Sequence, residues 1–164
     1  MPTHYPRSEA VAAVASEIGE APCLLCALRD RADLALPIIA RGKHCRALLP
    51  RWVRRQGHVL VILEQHVTTL GEVSDEAWLE AQSLALAAGR ALERAFAPAR
   101  VYLAALGSTS GELPMTSAHL HVHAIPVLAD DRPSDVLSWS AGAYRCSDDE
   151  LKKLAEAIST RLSR

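Results

Sequence analysis

Three of the seven histidines of this 164-residue chain fall within five positions, as His119-Leu120-His121-Val122-His123, followed by Ala124-Ile125-Pro126. A β-strand turns successive side chains to opposite faces. As a strand, this run puts three imidazoles on one face, while Leu120 and Val122 anchor the other in the core. Imidazole, with an unperturbed pKa of about 6.5, serves as both nucleophile and proton carrier near neutral pH. A row of three on a rigid strand is a reactive surface rather than a packing face. The run is internal and interleaved with apolar residues, which excludes a purification tag.

A second set of residues could hold a metal. Cys23 and Cys26 form a C-x-x-C pair that can offer two thiolates to one zinc ion, and a closed structural site needs four ligands. No histidine follows at zinc-finger spacing, so the other two must come from distant segments. His66 stands just beyond the aliphatic run His58-Val59-Leu60-Val61-Ile62-Leu63, and His119 opens the histidine run. If those runs are neighbouring strands, Cys23, Cys26, His66 and His119 form a Cys2His2 set; the alternative is two small buried thiols. Cys45 and Cys146 stand alone. In a reducing compartment all four cysteines are expected free or metal-bound rather than disulfide-linked.

Periodicity supplies the elements that carry these groups. Residues 8–18 read as a helix that Ser8 can cap, with Val11, Val14, Ala15 and Ile18 at helical spacing. β-prone runs follow near 37–40 and 45–49. Gly57 then breaks the chain before the 58–63 run, whose unbroken aliphatic character marks a buried strand. Ser74 caps a helix reaching about Phe96, before Pro98, with Asp75 and Glu76 in its first turn. Leu79, Leu84, Leu86 and Leu92 are its expected packing residues. Residues 100–106 read as a strand, and a polar loop with Gly107, Gly111 and Pro114 leads into the histidine run. Ser147-Asp148-Asp149-Glu150 is a capping-box pattern opening a C-terminal helix with Leu151, Leu154, Ile158 and Leu162 on one face. The class is α+β: an antiparallel sheet of about five strands, a long central helix, and helices at both ends.

Composition narrows the partners. A hydrophobic fraction of 49% with 23% charged residues is ordinary for one globular domain, and 4% aromatics make the core aliphatic and alanine-rich. A net charge of −1 argues against a general nucleic-acid or anionic-membrane surface, while leaving a small phosphate ligand open. No run approaches the roughly 20 apolar residues of a membrane-spanning helix, and the first residues lack an apolar signal core. A cytoplasmic location is therefore expected. Arg51, Arg54 and Arg55 read as a solvated loop face, Trp139 and Tyr144 as packing residues, and Asp130 and Asp131 as turn residues.

The segment His119–Ile125 resembles the His-φ-His-φ-His-φ-φ signature of the histidine triad (HIT) superfamily, φ being apolar. Gly57–His66 resembles that family's second landmark, a Gly-His strand ending in a histidine. Cys23-Leu24-Leu25-Cys26 resembles the N-terminal C-x-x-C of its zinc-containing bacterial members. Order and rough separation agree over residues 22–126. The resemblance implies a HIT-like domain at 22–128, an N-terminal helical extension at 1–21, and a C-terminal extension at 129–164 whose helix packs on the same domain. It also implies a homodimer whose strands join into one extended sheet. The implied activity is a nucleotidyl hydrolase or transferase on a nucleotide or nucleotide conjugate, of nucleoside phosphoramidase or dinucleoside polyphosphate hydrolase type.

Carried over by position, the resemblance makes His121 the nucleophile of a covalent nucleotidyl-histidine, which water then hydrolyses. His123 and His58 match histidines placed around the phosphate, and Thr116 matches a hydroxyl that assists the leaving group. Cys23, Cys26, His66 and His119 match the ligands of a structural zinc. The physical logic agrees, since a neutral imidazole attacks in line when a backbone carbonyl holds its far nitrogen. Two positions depart from the pattern. The ribose-holding Asp or Asn eight residues before the Gly-His histidine is Pro50, which has no side-chain donor or acceptor. The Gly-Gln-Ser/Thr segment reads Pro114-Met115-Thr116, with Met115 replacing the amide, after a longer 107–113 loop without the common asparagine. These departures keep a second reading open, a zinc-stabilised nucleotide-binding or protein-interaction module without catalysis. A third, a metallohydrolase, would need an open coordination position and a further nearby ligand, and the 119–123 run holds no acidic residue.

Overall fold

The aliphatic run after Gly57 forms the middle strand of a five-stranded antiparallel sheet in the computed structural model, which describes residues 2–109, 115–132 and 136–162. The sheet runs β2 (Ile38–Arg41), β3 (Cys45–Leu48), β5 (Val59–Leu63), β7 (His121–Val127), β6 (Arg100–Ala104). All five residues of β5 are buried because both faces of the sheet are covered. Val59, Val61 and Leu63 pack in the cluster with helix α3 (Asp75–Phe96) and helix α4 (Asp148–Leu162). Leu60 and Ile62 pack on the other side with Leu25 of helix α2 (Leu24–Asp30). Register places Leu60 opposite His123 and Ile62 opposite His121, so the histidine strand is held at the centre of the sheet.

Helix α3 begins where Ser74 Oγ accepts a hydrogen bond from the Ala77 N–H at 3.2 Å. Its buried stripe is Ala81, Ala85, Ala88 and Leu92, positions that recur on one face of a 3.6-residue helix. Leu79 and Leu86, expected to pack, are instead 66% and 44% exposed, because they fall on the opposite side from that stripe. Small residues let the helix lie close to the sheet: a Cβ added at Gly89 would stand 3.4 Å from Leu103 Cδ2. The capping box of α4 forms reciprocally, with Ser147 N–H donating to Glu150 Oε2 at 2.8 Å and Glu150 N–H to Ser147 Oγ at 3.3 Å.

A second, three-stranded antiparallel sheet joins distant parts of the chain. Its order is β1 (Thr3–Tyr5), β8 (Ala143–Arg145), β4 (Trp52–Val53). Helix α1 (Arg7–Ile18) packs beside it, burying Ala10 and Val14 in a cluster with Trp52, Met115 and Ala143. Strand β1 was not expected, since three residues are too few to show a period. The strand expected at 100–106 ends at Ala104.

Candidate active site and metal centre

The histidine run divides where its partner strand ends. β5 stops at Leu63, and the Leu120 N–H donates instead to the Val67 carbonyl at 2.8 Å. Strand β7 therefore begins at His121, and His119 lies outside it, which corrects the expectation of one strand carrying all three histidines. Alternation still holds: Leu120 and Val122 pack towards α3, and the imidazoles lie on the other side. His119 meets the cysteines, His121 meets His123, and His123 meets His58.

Three imidazoles form a hydrogen-bonded row. His121 Nδ1 is 2.7 Å from the His119 carbonyl oxygen, His121 Nε2 is 2.9 Å from His123 Nε2, and His123 Nδ1 is 2.8 Å from His58 Nε2. A carbonyl only accepts, so His121 donates through Nδ1–H and its Nε2 carries the lone pair. His123 then donates through Nε2–H and accepts at Nδ1 from His58 Nε2–H. All three rings are neutral in this pattern. His58 Nδ1 is left buried without a hydrogen-bond partner.

Burial enforces neutrality. It pushes His58 down to about 3, helped by the charge of Arg54 and by what a proton on His121 would add. Burial, followed by His58 and His121, likewise holds His123 well below its ordinary range, partly offset by a backbone hydrogen bond at Leu106. These shifts have a signed consequence for stability. The unfolded chain takes up protons at these histidines near pH 6.5, and the folded state refuses them. Stability is thus fully present above about pH 6.5 and falls as the pH drops towards 3. The slope approaches about 1.4 kcal/mol per pH unit for each such histidine. Denaturant unfolding between pH 7.5 and 4.5 checks this: His58→Asn is expected to remove one proton's worth of slope, and an unchanged slope would refute the burial argument.

The row borders a cleft that is also lined by Thr116. Leu24 and Leu28 of α2, Val14 and Ile18 of α1, and Trp52 make much of its wall apolar. Pro50 lines the cleft, as does Glu17 of α1, whose carboxylate accepts from Trp52 Nε1–H at 3.1 Å and stands 3.6 Å from Arg145. Glu17 gave no signal in the sequence, because only the second sheet brings α1 to this place. Met115 is buried with φ +71°. Gly111 and Pro114 lie outside the described residues, as does part of the 107–113 loop.

The arginine cluster is not a solvated face. Arg51 pairs with Asp148 at 2.7 Å and donates to the carbonyls of Cys146 and Leu34. Arg55 Nε donates to Asp131 at 2.8 Å, and Asp131 also accepts from the Leu128 N–H within the expected turn. Arg54 is 5% exposed, its guanidinium carbon 4.3 Å from the centre of the Trp139 ring. The C-terminal segments fold over this loop and bring residues that adjacency in sequence does not reveal. Trp139 accordingly lines the cleft, while Tyr144 sits in β8 with its ring edge-on to His4.

The metal candidates converge at the other end of the histidine run. One donor atom each from Cys23, Cys26, His66 and His119 lie within 4.8 Å of one another. His119 Nδ1 is 3.7 Å from Cys23 Sγ and 3.5 Å from Cys26 Sγ, and His66 Nδ1 is 3.4 Å from Cys26 Sγ. Tetrahedral zinc with ordinary Zn–S and Zn–N bonds implies sulfur-to-nitrogen edges of about 3.6 Å, so the cluster fits that ion. Cys23 stands just before α2, its sulfur accepting from the Cys26 N–H at 3.3 Å. Arg29 fixes α2 to the end of β5 through the Leu63 carbonyl at 3.1 Å. Burial and the neighbouring Cys23 push the Cys26 thiol up to about 11, so metal uptake must release protons.

Comparison with known proteins accords with this architecture. A family model described as the HIT domain matches residues 35–129. A hypothetical histidine triad nucleotide-binding protein from Sulfolobus tokodaii is 21% identical; the alignment covers 86% of this chain and 92% of that one, with a TM-score of 0.67. A Zn-bound histidine triad family protein from Mycobacterium smegmatis is 19% identical, covering 86% and 93%, with a TM-score of 0.64. The diadenosine triphosphate hydrolase of Plasmodium falciparum, solved with cyclomarin A, is 16% identical, covering 77% and 76%, with a TM-score of 0.60. Comparison with curated proteins gives no match. These structural likenesses establish the shared fold, and the family model spans more than half of the sequence. The chain belongs to the HIT domain family.

Proposed function

We propose that this protein is a nucleotidyl hydrolase or transferase that acts through a covalent nucleotidyl intermediate on His121. The observation that carries this reading is the fixed tautomer of His121: Nδ1–H is bound by the His119 carbonyl at 2.7 Å, and the lone pair sits on Nε2 beside the cleft. When the His123 Nε2–H leaves that lone pair for a phosphate oxygen of the substrate, the freed His121 nitrogen attacks phosphorus, the P–O or P–N bond to the leaving group breaks, and water later cleaves the P–N bond to His121. Phosphoryl-type transfer depends mainly on positioning and charge stabilisation. His58 and His123 supply ring N–H groups for this, and the Thr116 hydroxyl lines the same cleft to assist the departing atom. The named activity of the Plasmodium relative supports a nucleotide substrate.

Zinc would be held by Cys23, Cys26, His66 and His119, leaving no protein-free position among four ligands, so its part is to fix α2 and the start of β7. The zinc-bound mycobacterial relative supports this assignment. Among the described residues no helix is long and apolar enough to cross a membrane, which accords with a proposed cytoplasmic site of action.

A second copy of the chain is the proposed partner at the free edge of β6. Leu103 on that strand and Leu86 on α3 are exposed apolar residues, and β6 is an edge strand among the described residues, where a second copy can continue the sheet. Light scattering is expected to give a dimer mass for wild type and a monomer mass for Leu86→Glu/Leu103→Glu. A monomeric wild type refutes this partner.

The reading as a whole is tested by assaying wild type with adenosine and guanosine phosphoramidates and dinucleoside polyphosphates. Turnover supports it. A silent, folded, metal-loaded protein favours a nucleotide-binding module instead, the reading to which apolar Pro50 in the cleft wall lends weight.

A further inference from the structure

Ser117 stands between the metal cluster and the cleft. It is 1% exposed, and it lines the cleft beside Thr116 and His121. Its Oγ accepts from the His119 N–H at 3.1 Å and lies 3.6 Å from Cys23 Sγ. Its carbonyl accepts from the Ser108 N–H at 3.0 Å, so its backbone is held apart from anything the side chain does. A backbone N–H can only donate, which leaves the hydroxyl hydrogen available to the sulfur. When the four ligands hold zinc, that sulfur is a thiolate and only accepts. Ser117 O–H is then one of its donors, and the Cys26 N–H at 3.3 Å is another.

The surroundings of His119 lead back to the metal ligands. Its imidazole lies against the sulfurs of Cys23 and Cys26. Its N–H reaches Cys23 through the Ser117 hydroxyl. The next N–H, that of Leu120, donates to the carbonyl of Val67, the residue after His66. The His119 carbonyl points the other way and holds His121 Nδ1–H at 2.7 Å. The peptide unit that orients the nucleophile is thus gripped from the metal side. Cys23 and His119 are buried as well, and in such a place a hydrogen bond is strengthened and water does not replace a lost partner.

Resting on the proposed nucleotidyl chemistry and zinc ligation, we infer that Ser117 is a positioning residue that couples the metal centre to His121. Its hydroxyl joins the Cys23 thiolate to the backbone of His119, whose carbonyl keeps the His121 lone pair on Nε2. Metal affinity and the geometry of the nucleophile are then linked through one side chain, and removing its hydroxyl weakens both. Ser117 itself touches neither the attacked phosphorus nor the leaving group.

The test compares wild type with Ser117→Ala, and Ser117→Thr with Ser117→Val, a pair alike in size that differs by the hydroxyl. Zinc affinity is read by competition with a chromogenic chelator. The His121 tautomer is read from ring-nitrogen NMR shifts, and kcat and KM from adenosine phosphoramidate turnover at saturating zinc. Ser117→Ala and Ser117→Val are expected to bind zinc about 10- to 100-fold more weakly, the usual cost of removing a partner of a metal ligand. Their His121 ring should show mixed tautomers, and kcat should fall about tenfold or more with KM changed less than about twofold. Ser117→Thr, which keeps the hydroxyl, should restore all three properties, and the Thr/Val pair carries the test should Ser117→Ala fold poorly. Equal zinc affinity in Ser117→Thr and Ser117→Val would overturn the bond to Cys23. Weakened zinc binding beside an unmixed Nδ1–H tautomer of His121 would overturn the coupling. A wild type without turnover would sink the nucleotidyl reading, while the zinc and tautomer measurements would still decide this one.

Discussion

Replacing His121 with alanine is expected to lower turnover by about 10³-fold or more, the scale seen when a covalent nucleophile is removed. The fold and zinc content should be unchanged. The side chain bonds a backbone carbonyl and a neighbouring histidine, and His121 is absent from the hydrophobic clusters that stabilise the sheet. The loss should appear in kcat, since the attack is made only in the transition state. Rapid quenching of wild type with substrate, followed by intact-mass measurement, should show a nucleotidyl adduct that is absent from His121→Ala. Activity retained within tenfold in the variant would exclude the covalent route. If that activity then vanished with a chelator while the protein stayed folded, it would point to metal-based hydrolysis.

Removing one zinc ligand should have the largest effect on stability. Cys23→Ala is expected to reduce bound zinc from one equivalent to none, because three ligands no longer close the site. The cost should be about 3 kcal/mol or more, equivalent to a fall in Tm of roughly 10 °C for a chain of this size. Cys23 and His119 are both buried, so the variant also leaves polar groups without partners. Cys45→Ala and Cys146→Ala serve as controls that keep the zinc. Metal analysis and thermal melts on wild type and the three variants decide the matter: a purified wild type without zinc, melting identically with and without chelator, would sink the assignment.

Much of this architecture was legible in the residues. Unbroken aliphatic character marked β5 as a doubly covered strand, and Ser74 and Ser147 marked two helix starts through capping chemistry that acts within a few residues. Signals of that kind are local. What the sequence hid depends on contacts between distant segments. Leu79 and Leu86 look like packing residues, but alanines outcompete them for the sheet because a closer approach buries more of it. The family resemblance indicated the metal ligands and His121 by position, whereas the tautomers of the row follow only from distances. Arg54 looked like a surface residue by its type, and its burial depends on Trp139, far along the chain. Glu17 entered the cleft for the same reason, carried there by the pairing of β1 with β8.

That pairing also sets an order of assembly. Thr3 lies opposite Arg145 and Tyr5 opposite Ala143, whereas every strand of the five-stranded sheet falls between Ile38 and Val127. During synthesis the N-terminal segment must wait for β8 to emerge, and contacts so far apart in sequence form late. At ordinary elongation rates the 18 residues from Val127 to Arg145 take about 1–4 s. For that interval the nascent sheet presents its thiols and imidazoles before the far wall of the cleft closes over them. The wall of the cleft that α1 provides is therefore among the last parts of the fold to form.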